Sequence, residues 1–242
     1  MLRGNHEDMG RAGVGWRLLL SPFAGVVEDP IPDDGRPYSL RFMNLTLAIL
    51  DVANAASKYS GDPRKEKYGR WMERLERDLP PDRTRPTWLL LHNPLWVSYG
   101  CADNPCKESV QPTNALNAFR DHLRGEPPTK FDLVFGGDTH MFQFFVPKDR
   151  KIPPQIVAGM SGDLLAEEAK YDRKALDKAV DGPLFDVAGK LWMHHGFGYL
   201  VLTKEPSGWS AALFDPDRKD AVVTCKLDSA ALDGAQDKFP CE

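Results

Sequence analysis

The sequence has 242 residues, of which 42% are hydrophobic and 27% are charged, and its formal net charge is -4. These values favour one large α/β core over several small domains. The charges of both signs are mixed and form no basic stripe, which argues against a nucleic acid partner. No apolar run approaches the roughly 20 residues of a membrane-spanning helix, so we predict no membrane partner.

The four cysteines leave two alternatives open. Cys101 and Cys106 lie close together in the sequence, and a short disulfide between them is one possibility. Four reduced thiols, as in a cytosolic protein, are the other. The sequence lacks the C-x-x-C spacing of zinc sites. A periplasmic or secreted protein and a cytoplasmic protein are therefore equally compatible with the cysteines.

The predicted elements follow from hydrophobic periodicity. Short apolar runs predict strands, and apolar side chains at helical spacing predict helices. In chain order these are strand 45–50, helix 65–79, strand 88–91, helix 114–123 and strands 133–135, 156–158, 199–202 and 221–224. Strands that alternate with helices and are followed by further strands predict a mixed α/β sandwich. No repeat or Gly/Ser linker divides the sequence, so we expect one domain over residues 1–242.

Polar side chains are dense near the first residue. Gly4 permits a tight turn and is followed directly by Asn5, His6, Glu7 and Asp8. These are groups that can bind metal ions and transfer protons. Taken alone, the segment also fits an ordinary chain terminus rich in turn-forming residues.

Two later segments place polar residues directly after predicted strands. His92 follows the run 88–91, and Asp138 and His140 follow the run 133–135 and two glycines. Functional side chains of α/β proteins gather at the carboxyl ends of strands. Each segment has a simpler interpretation, a hydrogen-bonded histidine in one case and a turn in the other. The neighbouring His194 and His195 would point to opposite faces of a strand, so we predict a structural or surface role for them.

The order of these three segments resembles the last three motifs of the calcineurin-like metallophosphoesterases, within the superfamily of the purple acid phosphatases. The resemblance implies a four-layer α/β/β/α sandwich, in which two mixed sheets are flanked by helices. It also implies a dinuclear centre of divalent metal ions such as Mn, Fe or Zn. A phosphate-ester substrate is the implied partner.

Carried over to this sequence, the motifs imply roles for five residues. Asn5 would bind the second metal and contact the phosphate, and His6 would protonate or orient the leaving oxygen. His92 would be another ligand of the second metal, and His140 would lie at the position shared with the first metal. Asp138 stands where the family pattern has a histidine, which reduces the preference for zinc because a carboxylate also suits Mn, Fe or Mg.

The family's earlier metal-binding segments, Asp-x-His and Gly-Asp-x-x-Asp, do not precede Gly4 in this sequence. We therefore expect a domain that is incomplete at its N-terminus, with an exposed sheet edge that favours self-association. The leading hypothesis is hydrolysis of phosphate mono- or diesters by a metal-activated hydroxide, with the activity of this chain in doubt. The alternative is a remnant without catalysis, or a binding module that retains the phosphoesterase fold.

Overall fold

The computed structural model describes residues 37–42, 44–53, 63–80, 84–98, 111–119, 130–149, 151–161, 165, 179–180, 189–228, 232 and 240–242. These residues fall into two compact units. The first unit takes the residues up to Leu95 and those of Thr113–Asp138, and the second takes Trp96–Pro112 and Thr139–Glu242. The expectation of one domain over residues 1–242 stays a prediction.

The described elements alternate between strands and helices in the first half of the chain and are strands thereafter. In chain order they are β1 (Tyr38–Phe42), β2 (Leu45–Ile49), α1 (Pro63–Asp78), β3 (Thr87–Leu90), β4 (Trp96–Val97), β5 (Gln111–Pro112), α2 (Asn114–Phe119), β6 (Leu133–Gly136), β7 (Phe142–Pro147), β8 (Gln155–Ala158), β9 (Ala179–Val180), β10 (Gly189–His194), β11 (Tyr199–Glu205), β12 (Gly208–Phe214) and β13 (Ala221–Lys226).

The sheet of the first unit is mixed and has the strand order β1-β2-β3-β6. β1 pairs antiparallel with β2, whereas β2 pairs with β3 and β3 with β6 in parallel. The three parallel strands are apolar, and most of their side chains are buried, as is usual for parallel strands covered on both faces. β1 lies at the edge of this sheet and is largely exposed.

Helix α1 buries one face and exposes the other. Its buried residues Tyr68, Met72 and Leu75 recur at helical spacing. On the exposed face, Glu66 and Arg70 form an ion pair one turn apart. The short helix α2 packs against α1 and buries Phe119. The first unit thus combines a mixed sheet with amphipathic helices, which confirms the predicted α/β class.

The second unit is built from antiparallel strands. One set has the order β8-β7-β10-β9 and another the order β11-β12-β13, while β4 and β5 form a short pair. Phe142, Phe144 and Phe145 of β7 are buried. In the part of the chain described, no helix is long and apolar enough to cross a membrane.

The end of the chain is fastened to β13. The peptide groups of Thr224 and Glu242 exchange two hydrogen bonds of 2.9 Å, and Cys225 forms a disulfide with Cys241. The sequence had drawn attention to Cys101 and Cys106 instead, and these two lie outside the described residues. The disulfide closes a loop with a sequence separation of 16 residues, which by loop entropy contributes about 3 kcal/mol to stability.

Candidate metal centre

Strands β3 and β6 bring two polar segments to the same edge of the first unit's sheet. The strands are parallel neighbours, with Leu90 opposite Phe135, so their carboxyl ends lie side by side. Backbone pairing continues beyond them. The Leu91 N–H donates to the Phe135 carbonyl at 2.9 Å, and the Gly137 N–H donates to the His92 carbonyl at 2.7 Å. The chain around His92 is therefore fixed against the chain that leads to Asp138.

Gly136 allows the two segments to approach closely. A Cβ atom at this position would lie 2.8 Å from both Cα and Cβ of Pro94, a separation that van der Waals repulsion excludes. At Gly137, the nearest atom to such a Cβ would be the His92 carbonyl oxygen, at 3.5 Å. Steric exclusion therefore requires glycine only at position 136, where the backbone packs against Pro94.

The carboxylate of Asp138 is held on both oxygens. Nε2 of His92 lies 3.2 Å from Oδ1, and Nδ2 of Asn93 donates to Oδ2 at 2.6 Å. The side chains of His92 and Asp138 are 17% and 26% exposed, so the pair is accessible, whereas Asn93 is buried. A carboxylate with these two contacts has lone pairs left on both oxygens. It can therefore bind a cation and keep the hydrogen bond from Asn93.

Two residues of the third motif have unusual backbone conformations. The φ angles of Asp138 and His140 are 65° and 55°, within the left-handed region that residues with a Cβ rarely adopt. Such strain concentrates at functional sites, where the surrounding structure holds the residue in place. A simple turn is the alternative that the sequence leaves open here. The structure has a bend over residues 138–141, and this bend carries a carboxylate and an imidazole where glycine would be more stable.

The structure brings together two of the residues predicted from the sequence, His92 and Asp138. His140 belongs to the second unit and is half-buried. Asn5 and His6 lie outside the described residues. Among the residues that the structure describes, no group of three or more His, Cys, Asp or Glu side chains could hold a metal ion. The predicted ligand set therefore stays a prediction.

Asn93 is the residue of this site that sequence reasoning missed. It lies between His92 and Pro94, and its only sequence signal is that position beside a predicted ligand. Its Oδ1 atom is buried and has no hydrogen-bond partner in the described structure. A buried amide oxygen without a partner is costly, and a bound cation or water is the usual way to satisfy one. The imidazole of His92 and the carboxylate of Asp138 are donors that fit a divalent ion.

The buried His194 has a structural environment. Its ring stacks on that of Trp192 at a centroid distance of 6.2 Å, and the Trp192 ring in turn meets Phe142 edge to face at 5.3 Å. His195 follows the end of β10 and is half-buried. This packing agrees with the structural role predicted for His194, and the role of His195 stays a prediction.

Comparison with solved structures identifies the fold. The chain is similar to the purple acid phosphatase PPD1 from yellow lupin (Lupinus luteus) seeds, with a TM-score of 0.52 and 16% identity over 92% of this chain and 37% of that one. A second structure, PhoD, matches with a TM-score of 0.44 and 10% identity over 80% of this chain and 42% of that one. No family model and no curated protein matches the sequence.

The likeness to the purple acid phosphatase shows that the chain has the calcineurin-like fold. The chain spans well under half the length of either structure that it resembles, 37% of one and 42% of the other. At 16% identity the likeness extends to the fold and not to the activity.

Proposed function

We propose that this protein is a metal-dependent phosphoesterase that hydrolyses phosphate mono- or diesters. The contact that carries the proposal is the one between His92 and Asp138, which lie far apart in the sequence and meet at the ends of two parallel strands. The motif order predicts this meeting, and the fold is one in which phosphatases occur. The proposal includes the four-layer arrangement of sheets and helices expected from the sequence.

The proposed ligands are Asn5, His92, Asp138 and His140, and the proposed metals are Mn, Fe or Zn. Divalent ions at such a site would bind phosphate oxygens and supply a hydroxide by lowering the pKa of water. Asp138 supplies negative charge, and the hydrogen bond from Asn93 and the 3.2 Å contact with Nε2 of His92 fix the orientation of the carboxylate plane. His6 would donate a proton to the leaving oxygen of the ester.

The test of the site is a pair of matched variants. Asp138→Asn keeps the shape of the side chain and removes its charge, so it should lower Mn²⁺ affinity and turnover of p-nitrophenyl phosphate and bis(p-nitrophenyl) phosphate by more than about 100-fold, since even partners of ligands are worth about 10–100-fold. Asp132→Asn is the control. Asp132 precedes the other end of β6 and accepts a hydrogen bond from the Thr87 N–H at 2.7 Å, which an asparagine oxygen can also accept. Equal losses in both variants would contradict the assignment.

A second variant separates catalysis from binding. His6→Ala should abolish most turnover and leave the Mn²⁺ affinity unchanged, because the proposed role of His6 is proton donation. A wild-type chain that binds phosphate and Mn²⁺ without turning over either ester would favour the alternative of a binding module without catalysis. A wild-type chain that binds neither would reject both functions.

A further inference from the structure

Three parallel strands of the first unit end at the same edge of its sheet, and a polar residue follows each of them. β3 leads to His92 and β6 leads to Asp138, the two residues that meet in the candidate metal centre. The third parallel strand is β2, and it leads to Asp51. Ligand sites of α/β sheets lie at the carboxyl ends of the strands. Asp51 therefore lies at the edge of the sheet that carries the candidate site, although it is outside the proposed ligand set.

Backbone pairing places Asp51 beside His92. In the parallel pair β2–β3, Ile49 lies opposite Leu90, and the Leu50 N–H donates to the Leu90 carbonyl at 3.1 Å. Continued by two residues, this register sets Asp51 next to His92, at the strand spacing of about 4.8 Å between the two chains. Residues in register on parallel neighbours direct their side chains to the same face of the sheet. Both residues are half-buried.

The carboxylate of Asp51 has two neighbours at the end of β2. Its Oδ1 accepts a hydrogen bond from the Ala53 N–H at 3.1 Å, which is the bond of an Asx turn. Tyr38 lies on the antiparallel strand β1, opposite Ile49. Burial raises the pKa of the half-buried Tyr38 hydroxyl, and the negative charge of Asp51 raises it further. The charge of Asp51 is thus held in a half-buried place, where salt screens it less than on an open surface.

We propose that Asp51 is a positioning residue of the metal centre, whose charge strengthens the binding of a divalent ion at His92 and Asp138 without contact with the ion. The inference rests on the proposed function. Divalent ions in proteins commonly keep water molecules among their ligands, and a carboxylate one strand away can accept hydrogen bonds from such water. Among the described residues, no three His, Cys, Asp or Glu side chains form a group that could hold an ion. Asp51 therefore adds charge from outside the ligand set.

The balance of charge gives this carboxylate a task. The proposed ligands include one carboxylate, that of Asp138, and the others are an amide and imidazoles, which bind metals in their neutral form. One negative charge leaves a divalent ion half neutralised. Asp51 supplies the second negative charge at the same edge of the sheet. A purely structural role, in which Asp51 only ends β2 through its bond to Ala53, gives the charge no importance.

Two variants of Asp51 separate the charge from the turn. Asp51→Asn keeps an oxygen that can accept from the Ala53 N–H and removes the charge, whereas Asp51→Glu keeps the charge and moves the carboxylate away from the turn. We expect Asp51→Asn to lower Mn²⁺ affinity by about 10-fold, as for other carboxylates that act from outside the ligand set, and Asp51→Glu to lower it much less. Titration calorimetry with Mn²⁺ alone measures both affinities and does not depend on ester hydrolysis. A structural role predicts the opposite order.

Ionic strength tests whether Asp51 acts at a distance. Between about 0.01 M and 1 M salt the Debye length falls from about 30 to about 3 Å, so the deficit of Asp51→Asn relative to the wild type should shrink. The deficit of Asp138→Asn should persist, because Asp138 is a proposed ligand. Asp132→Asn is the control for loss of a carboxylate elsewhere. Asp132 precedes the opposite end of β6, and its replacement should leave Mn²⁺ affinity unchanged.

The outcomes distinguish this inference from the proposed function. The inference is overturned by an Asp51→Asn variant that binds Mn²⁺ as well as the wild type or Asp132→Asn does, by a larger loss in Asp51→Glu, or by a deficit that salt does not reduce. A wild type that binds no Mn²⁺ overturns it together with the metal centre. A wild type that binds Mn²⁺ but hydrolyses no phosphate ester rejects the phosphoesterase function alone, because the Mn²⁺ affinities of the variants still measure the role of Asp51.

Discussion

The side-chain amide of Gln143 bonds to both peptide groups of Ser98. Its Oε1 accepts from the Ser98 N–H at 3.1 Å, and its Nε2 donates to the Ser98 carbonyl at 2.6 Å. Gln155 makes the same two hydrogen bonds with Trp96. Its Oε1 accepts from the Trp96 N–H at 3.2 Å, and its Nε2 donates to the Trp96 carbonyl at 2.5 Å. All four residues are buried. Two glutamine side chains therefore pair with the backbone N–H and C=O groups of Trp96, in β4, and of Ser98, which follows β4. A neighbouring strand would make the same kind of hydrogen bonds.

We expect Gln143→Leu to lower the free energy of unfolding. The variant leaves a buried N–H and a buried C=O of Ser98 without these partners, at about 1–3 kcal/mol for each group. Denaturation by urea measures the loss. Thr224→Leu, an exposed polar-to-apolar change on β13, is the control and should change stability by less than about 0.5 kcal/mol. A Gln143→Leu variant as stable as the control would mean that water replaces the glutamine.

The close approach of Gly136 to Pro94 predicts a difference between two adjacent glycines. Gly136→Ala puts a Cβ atom 2.8 Å from Pro94 and should destabilise the first unit by about 1–3 kcal/mol through overpacking. Gly137→Ala meets only ordinary contacts, the nearest at 3.5 Å, and should leave the melting temperature nearly unchanged. Thermal denaturation of both variants measures the difference in their melting temperatures. A larger loss in Gly137→Ala would show that the close approach lies elsewhere.

Asn93 is predicted to position Asp138. Asn93→Ala removes the 2.6 Å hydrogen bond to Oδ2, so the carboxylate can rotate and divalent-ion affinity should fall by about 10–100-fold. Asn93→Asp is the sharper variant, since it sets a second carboxylate against Asp138 in place of a donor. Titration calorimetry with Mn²⁺ measures the affinity for the metal ion directly and does not depend on ester hydrolysis. Unchanged affinity in Asn93→Ala, beside a wild type that binds Mn²⁺, would reject the positioning role and leave the proposed function standing.

The strained backbone at His140 predicts that two truncations differ in stability. His140→Gly and His140→Ala both remove the imidazole, and both should reduce metal affinity if His140 is a ligand. Because φ is 55°, glycine relieves a strain of about 1–2 kcal/mol that alanine retains. The glycine variant should therefore unfold at a higher urea concentration than the alanine variant. Equal midpoints would indicate that the left-handed conformation relaxes without cost.

The sequence predicted the strands around the site well, and the reason is physical. Strands β2, β3, β6 and β8 are short buried runs with a clear apolar pattern. β1 was missed because an exposed edge strand has no such pattern. β7 was missed although it is buried, since Gln143 interrupts its apolar run. The role of that glutamine depends on Ser98, a partner 45 residues away, which no local pattern reveals.

In the candidate site, too, local patterns in the sequence reveal single residues but not the contacts between distant residues. His92 and Asp138 were found because each follows a predictable strand. Their 3.2 Å contact required knowledge of which strands are neighbours, and the resemblance to a family supplied it. The hydrogen bond from Asn93 and the packing of Gly136 on Pro94 depend on the distance between two chain segments. Composition and periodicity carry no information about such distances.

A final prediction concerns pH. Burial raises the pKa of Glu76 above its ordinary value, and the nearby Lys130 offsets part of this rise. Because the folded-state pKa is the higher one, folding favours the protonated form. The contribution of Glu76 to stability is thus complete below its unfolded pKa of about 4.3, and it is lost as the pH rises through the folded value. At neutral pH the charged carboxylate destabilises the last turn of α1, where it also opposes the helix dipole.

We therefore expect Glu76→Gln to be more stable than the wild type at pH 7 and to lose this advantage as the pH falls below about 4. Glu66→Gln is the matched control on the same helix. Glu66 lies in the first turn, where its charge favours the dipole and pairs with Arg70 at 3.2 Å, so its removal should slightly lower stability at pH 7. Urea denaturation of the three proteins at pH 4 and pH 7 gives both differences. A Glu76→Gln advantage that is equal at the two pH values would show that side-chain packing, and not ionisation, is responsible.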